Sequence, residues 1–213
     1  MNKRVVYIVG GGSSLDGFCF DDLRDKETIA VNKSALTVPD PTYTITADSG
    51  IFQQIQEGLL SDINTMKVLV TNADHCSMKR INKEFVHVRT GYVYDLLCMD
   101  MIIQNKGCDG IGFSFADFRT GYNSGFCAFQ FAVLLGYTHI CLLGMDMDAS
   151  GKHYSQYGGG RIAEKTMDKF YFNFVLALGL VHKETDIKVF SCSPISRLNN
   201  IIPYMSFQET CNL

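Results

Sequence analysis

The residues best suited to chemistry begin with a run of small residues directly after an apolar segment near the start of the chain. The run is Gly10, Gly11, Gly12, Ser13 and Ser14. Glycines allow a sharp turn and the close approach of a phosphate, because no Cβ stands in the way, and free N–H groups in such a turn form an anion-binding nest. The spacing matches neither G-x-G-x-x-G nor a P-loop. It predicts either a nucleotide site of another type or a tight turn that binds nothing.

Further polar groups stand where a helix is predicted to begin or a strand to end. The tripeptide Asn123-Ser124-Gly125 opens a predicted helix, whose N-terminus can receive an anion or a ribose hydroxyl or can simply be capped. Asp146 follows an apolar strand and could bind a metal, a ribose or an acceptor hydroxyl. Asp48, with Ser49 beside it, stands in a similar place. For both aspartates the alternative interpretation is a turn residue at a strand end.

A polar, glycine-rich loop at about 147–162 is predicted to act as a lid. It holds Lys152, His153, Tyr154 and Arg161. Such a loop can close over a substrate and supply a general base together with charge stabilisation. The alternative interpretation is a surface loop without a chemical role.

Apolar runs alternating with helical segments must position these residues. They predict one domain over residues 1–213, an α/β, Rossmann-like, doubly wound and mostly parallel sheet with helices on both faces. Continuous β-branched runs are typical of strands buried on both faces. The predicted strands are 5–9, 28–31, 42–46, 67–71, 85–88, 139–143 and 187–192, and the predicted helices are 51–57, 94–104, 123–135 and 165–180.

One rim of the predicted sheet collects most of the polar groups. In open parallel sheets, ligands bind outside the carboxyl ends of the strands. The glycine run, Asp48 and Asp146 all follow predicted strands, and so do Asn32, Ser193 and the segment 72–74. This placement favours a mononucleotide or a nucleotide sugar over a dinucleotide.

The composition narrows the classes of function. The formal net charge is −3, so there is no basic excess to hold a nucleic-acid backbone, and general nucleic-acid binding is not expected. No stretch reaches the ~18 apolar residues that a membrane span needs. None of the eight cysteines forms a C-x-x-C pair, which is typical of reduced thiols in a cytoplasmic protein. A homo-oligomer is compatible with this composition.

Several short motifs, taken in order, resemble one family of transferases. They are the segment 6–15, Asn32, Ser124-Gly125, Leu135-Gly136-Tyr137, Leu143-Gly144-Met145-Asp146 and the segment 191–196. Their order is similar to that in bacterial CMP-sialic acid-dependent sialyltransferases of the smaller, single-Rossmann-domain type. It also resembles a broader set that includes phage-encoded proteins and archaeal 6-hydroxymethylpterin diphosphokinase-like proteins, of which this chain looks like a phage-type member.

The resemblance implies a CMP-linked nucleotide sugar as the donor substrate. Gly12, Ser14 and Asn32 would contact the phosphate or the nucleotide. Ser124 and Gly125 would hold the ribose and phosphate side.

The resemblance also implies roles around the reacting bond and the base. Tyr154 would assist the departing phosphate, and Ser193 and Ser196 would lie near the base. Where the family has its catalytic histidine, this chain has Gly160-Arg161. His153 is the candidate that stands in for it.

The leading prediction is a nucleotide-sugar-dependent glycosyltransferase that needs no metal. His153 or Asp146 would deprotonate the acceptor hydroxyl. Tyr154, Lys152 or Arg161 would stabilise the departing nucleotide.

Two other functions remain open from the sequence. A Mg²⁺–ATP-dependent diphosphotransferase, similar to the pterin-kinase-like proteins, would use Asp48 and Asp146 to hold Mg²⁺ on ATP. A non-catalytic nucleotide-binding or sequestering protein would keep the polar rim and lack the base.

Overall fold

A computed structural model gives the fold of most of the chain. It describes residues 2–71, 78–81, 84–87, 93–94, 98–148, 150, 152–157, 160 and 162–213, with the backbone alone at 78–81, 84–87 and 93–94. Two sequence predictions, the charge role of Arg161 and the rim position of 72–74, concern residues outside this description.

Seven parallel strands form the main sheet, which confirms the predicted Rossmann-like α/β class. In chain order the strands are β1 (Val5–Val9), β2 (Thr28–Val31), β3 (Tyr43–Thr46), β4 (Met66–Thr71), β5 (Met78–Ile81), β6 (Glu84–His87), β7 (Val93–Tyr94), β8 (Met101–Gln104), β9 (His139–Leu143) and β10 (Lys188–Ser191). The main sheet has the order β10-β9-β1-β2-β3-β4-β8. β5, β6 and β7 form a separate antiparallel sheet.

The middle of the chain differs from the sequence prediction. The helix predicted at 94–104 is wrong at its end, because residues 101–104 form β8 and pair in parallel with β4. The β-branched pair Ile102 and Ile103 suits a strand, and pairing with a neighbour overrides a weak helical pattern. The strand predicted at 85–88 overlaps β6, which belongs to the small sheet and not to the main one.

The described residues form four α-helices beside the sheet: α1 (Ser49–Gln56), α2 (Ser124–Leu134), α3 (Glu164–Glu184) and α4 (Phe207–Thr210). α2 is apolar on all sides and lies against β1, β2, β3 and α3, as expected of a helix enclosed in a core. Within the described residues, none of the helices is both long and apolar enough to cross a membrane.

Both faces of the main sheet are covered by apolar side chains. Along β1, Val6 and Ile8 face the core that contains α2 and α3. The alternate residues Tyr7 and Val9 face a second core with α1 and α4. This alternation follows from the two-residue period of a strand. Because helices pack on both faces, the sheet is doubly wound.

The strand order reverses at β1. The chain runs outward from β1 through β2, β3, β4 and β8, and then returns to place β9 on the other side of β1. In open α/β sheets such a switch point opens a crevice at the carboxyl ends of the two strands. The turns that follow β1 and β9 therefore face each other across this crevice.

Candidate functional site

A cavity of about 540 Å³ lies at the carboxyl ends of β1, β2, β3 and β9. This volume is in the range of small-molecule sites. Among the residues predicted from sequence, the cavity is lined by Gly10, Gly11, Gly12, Asn32, Asp48, Asn123, Ser124, Gly125, Asp146, Lys152 and His153. The structure places the other described candidates outside this lining: Ser13, Ser14, Ser49, Tyr154, Ser193 and Ser196.

The carboxylate of Asp146 occupies the turn after β1. It accepts hydrogen bonds from Ser14 N at 2.9 Å and from Ser14 Oγ at 2.5 Å. Gly12 N donates to the carbonyl of Gly144 at 2.8 Å, and Gly10 N is likewise bound at the end of β9. These three amides, expected to be free for a ligand, are already engaged. The anion held by the turn is Asp146 itself.

The glycines of this turn are needed for contact with the β9 turn. A Cβ at Gly12 would lie 2.5 Å from both Cγ and Oδ2 of Asp146. A Cβ at Gly10 would lie 2.6 Å from the carbonyl oxygen of Gly144. Such distances are too short for any side chain, so the glycines serve the close approach of two turns across the switch point.

His153 lies in the cavity wall with one ring nitrogen already bound. Its Nδ1 is 3.0 Å from the carbonyl oxygen of Gly11. Because a carbonyl oxygen only accepts, Nδ1 carries the hydrogen, and Nε2 of the neutral ring is the basic nitrogen. The neighbouring backbone is also fixed, since Tyr154 N donates to the same carbonyl at 3.1 Å. The predicted lid therefore crosses the turn after β1 and carries an oriented imidazole.

Of the two tyrosines in this loop, one is buried in the core and the other lines the cavity. Tyr154 is fully buried, and its hydroxyl lies 2.8 Å from Thr37 Oγ1. Tyr157 instead lines the cavity and stacks on His153, with ring centroids 4.7 Å apart. Burial raises the pKa of Tyr157 further above its ordinary value near 10, and its phenol is protonated at neutral pH in either case. Tyr157 is therefore the tyrosine of this loop that lines the cavity.

Asn32 lines the cavity in an unusual conformation. Its φ is +54°, in the left-handed region that side chains other than glycine rarely adopt. Its buried Oδ1 has no hydrogen-bond partner among the described residues. A buried acceptor without a partner costs about 1–3 kcal/mol, so this oxygen is suited to accept an N–H or O–H from a ligand.

At the N-terminus of α2, one backbone amide is capped by a side chain, and two others have no acceptor among the described residues. Asn123 Oδ1 accepts from Phe126 N at 2.8 Å, which confirms capping by this side chain. Ser124 Oγ accepts from Ala47 N at 2.9 Å and so ties α2 to the end of β3. Within the described part of the chain, the amides of Ser124 and Gly125 have no acceptor. Both residues line the cavity, where the positive end of the helix favours an anion.

Asp48 lines the cavity and also caps a helix. Its Oδ1 accepts from Gly50 N at 2.8 Å and from Ile51 N at 3.1 Å, so it caps α1. Ser49 is the first residue of α1 and is exposed. Within the described residues, no group of three His, Cys, Asp or Glu side chains is arranged to hold a metal ion.

Ser193 and Ser196 lie behind the cavity wall. Both are buried, and Ser196 Oγ donates to the carbonyl of Met145 at 2.8 Å. Next to it, Arg197 N donates to the backbone carbonyl of Asp146 at 2.9 Å. The segment after β10 therefore positions the β9 turn from behind.

Several cavity residues were absent from the sequence prediction: Lys33, Tyr122, Tyr157, Met167 and Phe170. Lys33 and Tyr157 adjoin predicted residues, so their proximity in sequence was a usable signal. Met167 and Phe170 resemble core positions of a helix, and they reach the cavity because α3 begins at its edge.

Comparisons with known proteins relate the fold to bacterial glycosyltransferases. Neither a family model nor a curated protein sequence matches the chain. The solved sialyltransferase CST-II, in complex with a trisaccharide acceptor and CMP, matches with a TM-score of 0.54 at 19% identity, over 97% of this chain and 88% of that one. CstII from Campylobacter jejuni with the substrate analogue CMP-3FNeuAc gives a TM-score of 0.51 at 17% identity, over 98% and 88%.

A second kind of glycosyltransferase shares the fold over a longer chain. MAf glycosyltransferase from Magnetospirillum magneticum AMB-1 has a TM-score of 0.57 at 12% identity, over 99% of this chain and 35% of that one. The chain thus spans about a third of that protein. The three matches show that this chain has the Rossmann-like fold on which these transferases are built.

Proposed function

We propose that the protein transfers a sugar from a nucleotide sugar of the CMP-linked type to a hydroxyl group of an acceptor. The observation that carries the proposal is the oriented imidazole of His153. Its Nδ1 is bound to Gly11, which leaves Nε2 as a base in the cavity at the switch point. The fold shared with two kinds of glycosyltransferase supports the same class of reaction.

The donor's phosphate would bind at the N-terminus of α2. The amides of Ser124 and Gly125 provide the positive end of the helix dipole. Lys33 and Lys152 also line the cavity and would balance the charge of the phosphate. Asn32 Oδ1 would accept a hydrogen bond from the ribose or the base. A CMP-linked donor is favoured because the solved CST-II structure contains CMP.

In the proposed reaction the acceptor oxygen attacks the anomeric carbon of the sugar. Its proton passes to His153 Nε2 as the new bond forms. The bond from the anomeric carbon to the phosphate oxygen breaks, and the nucleoside monophosphate leaves with the electron pair. Tyr157, which lines the cavity and whose phenol is protonated at neutral pH, would donate a hydrogen bond to the departing phosphate. Lys152, and Arg161 from the same loop, would add positive charge.

Asp146 takes a positioning role in this proposal. Each of its carboxylate oxygens already accepts a hydrogen bond from Ser14. These two bonds hold the carboxylate in the turn after β1. Its function would be to hold the turn that carries Gly11, the partner of His153.

The diphosphotransferase alternative finds less support in the structure. It requires the carboxylates of Asp48 and Asp146 to bind Mg²⁺ on ATP. Asp48 caps α1, and Asp146 binds Ser14. Both carboxylates are therefore engaged in holding the backbone.

The test compares His153→Asn with a matched control, His182→Asn, in which an exposed histidine at the far end of α3 is changed. CMP should raise the melting temperature of the wild type and of both variants. Release of CMP from CMP-sialic acid, with lactose or water as acceptor, should fall about 10²–10⁴-fold in His153→Asn. It should be unchanged in His182→Asn.

Three outcomes would overturn the proposal. Absence of any thermal shift with CMP or CMP-sialic acid would remove the nucleotide site. Tight CMP binding by a wild type that releases no CMP from any CMP-sugar would indicate a binding protein. Turnover of Mg²⁺–ATP that is lost in Asp48→Asn would indicate a diphosphotransferase.

A further inference from the structure

The outer face of α3 carries an apolar stripe that is exposed among the residues the structure describes. Phe172, Leu176 and Leu180 recur every four residues and expose 65%, 57% and 38% of their surface. Phe174 and Leu178 on the opposite face of the helix are buried in the core. A single exposed apolar residue is ordinary, whereas a row of them along one helix face is typical of an interaction surface.

A recess lies beside this stripe. A shallow groove of about 590 Å³ runs between Asp109 and α3, with Lys169, Asn173 and Leu176 in its wall. Phe172 also borders the groove and protrudes from it. In a two-fold interface the same patch occurs on both sides, so it must contain both a protrusion and a recess. The outer face of α3 meets that condition.

Gly179 forms a notch within the stripe. It is exposed, and a Cβ at this position would meet nothing within 4 Å. Glycine inside a helix costs roughly 1 kcal/mol relative to alanine, and no contact with the described residues requires it here. A missing side chain does allow a ring from another molecule to approach the helix closely.

Charges of both signs surround the stripe. Glu164 and Lys165 are exposed at one end of α3, and Lys183 pairs with Glu184 at 3.2 Å at the other. An anionic membrane or a nucleic acid would favour an excess of cations. A mixed border instead fits a surface with the same mixture. α3 has 21 residues and is about 32 Å long at 1.5 Å per residue.

We propose that α3 is the contact surface of a homodimer in which two copies pack α3 against α3 about a two-fold axis. Phe172 of each copy would lie against Gly179 of the partner subunit. Met167 and Phe170 at the start of α3 line the cavity, so this contact would also support one wall of each site. The proposal does not rest on the proposed function.

The test is the mass of the full chain in solution, measured by sedimentation equilibrium over a range of concentrations. The wild type should approach about 48 kDa, twice the 23.8 kDa of one chain. Phe172→Glu combined with Leu176→Glu should give the monomer mass. So should Gly179→Arg, which improves helix propensity and leaves folding intact by circular dichroism. Ile195→Glu, at an apolar residue 52% exposed elsewhere, is the matched control and should stay dimeric.

Two results would overturn this assignment. One is a wild type that stays at the monomer mass throughout, including a monomer that floats with phosphatidylglycerol vesicles through the same face. The other is a folded Gly179→Arg or Phe172→Glu/Leu176→Glu variant that keeps the wild-type mass.

Discussion

At the scale of single residues, the candidate site depends on which atoms are already bound. His153 has its Nδ1 on a backbone carbonyl, and this leaves one basic nitrogen. Asp146 has both carboxylate oxygens on Ser14, and this ties it to the turn after β1. The sequence makes His153 and Asp146 equal candidates for proton transfer, and the hydrogen bonds that each one makes in the structure distinguish them.

The two tyrosines of the loop give a residue-scale prediction. Tyr157→Phe should lower the rate of CMP release about 10²-fold, because one hydrogen-bond donor to the departing phosphate is lost. Tyr154→Phe should leave this rate unchanged and lower stability. It removes a buried hydroxyl bonded to Thr37, which should cost about 0.5–1.5 kcal/mol of unfolding free energy.

Rates of CMP release and urea denaturation of both variants would check this pair. A Tyr154→Phe enzyme of unchanged stability but with turnover lost would return the phosphate-assisting role to Tyr154, as the family resemblance implies.

At the scale of elements, the central contact joins the turn after β1 to the turn after β9. Gly10 and Gly12 let the turns approach, and Asp146 bonds them together. The segment after β10 supports the β9 turn through Ser196. An isolated bridge between Gly12 and His153 adds a further contact. The turn after β1, the stretch from the end of β9 to His153 and the segment after β10 are far apart in sequence and therefore meet at one place.

Adjacent serines allow a test of this contact. Ser14→Ala removes the hydrogen bond from Oγ to a buried carboxylate and should lower the unfolding free energy by about 1.5–3 kcal/mol. In Ser13→Ala the change should be close to zero, because among the described residues the Ser13 side chain has no hydrogen-bond partner. Urea denaturation of both variants measures the difference. Equal losses of unfolding free energy in the two variants would show that the hydrogen bond from Ser14 Oγ to Asp146 contributes nothing to stability.

At the scale of the whole molecule, the fold places one cavity at the switch point and an open helix face at the outer surface. The cavity needs β1, β2, β3, β9 and the start of α3 together. Matches to CST-II and MAf glycosyltransferase, at 19% and 12% identity, show that this fold occurs in proteins with very different sequences. The arrangement of the sheet, more than any motif, is what brings the polar residues together.

Acid stability is a whole-molecule property to which His139 contributes. Burial, with Lys3 and Lys188 nearby, lowers the pKa of His139 below its ordinary value near 6.5. The unfolded chain therefore binds this proton more readily than the folded one. The stabilising contribution is present above the unfolded pKa and is lost as pH falls through the folded one.

Urea midpoints at about pH 7.5 and pH 5 would measure this dependence. The wild type should lose stability on acidification, and His139→Gln should lose less, because it carries no titrating group at that position. An equal loss in both proteins would assign the acid sensitivity to other groups.

Most of the fold was predictable from local patterns. The strand at 139–143 was predicted at its observed bounds, and the helix at 123–135 within one residue, because a continuous apolar run and a capped helix start are visible in adjacent residues. The segment 101–104 was not, because its strand exists only through pairing with β4. The β-branched pair Ile102 and Ile103 is the one local signal for this edge strand, and it is too short to decide between a strand and a short helix.

The sequence by itself determined the α/β class, the glycine turn after β1 and the polar residues that end the strands, since each depends on neighbours in the chain. Only the tertiary structure decided which side chains face the cavity. Asp146 enters a turn 132 residues away in sequence, and Tyr157, three positions after Tyr154, takes the place at the cavity. The physical reason is that strand and helix formation are set by short-range periodicity. The partner of each polar atom is set by segments that meet only when the sheet is assembled.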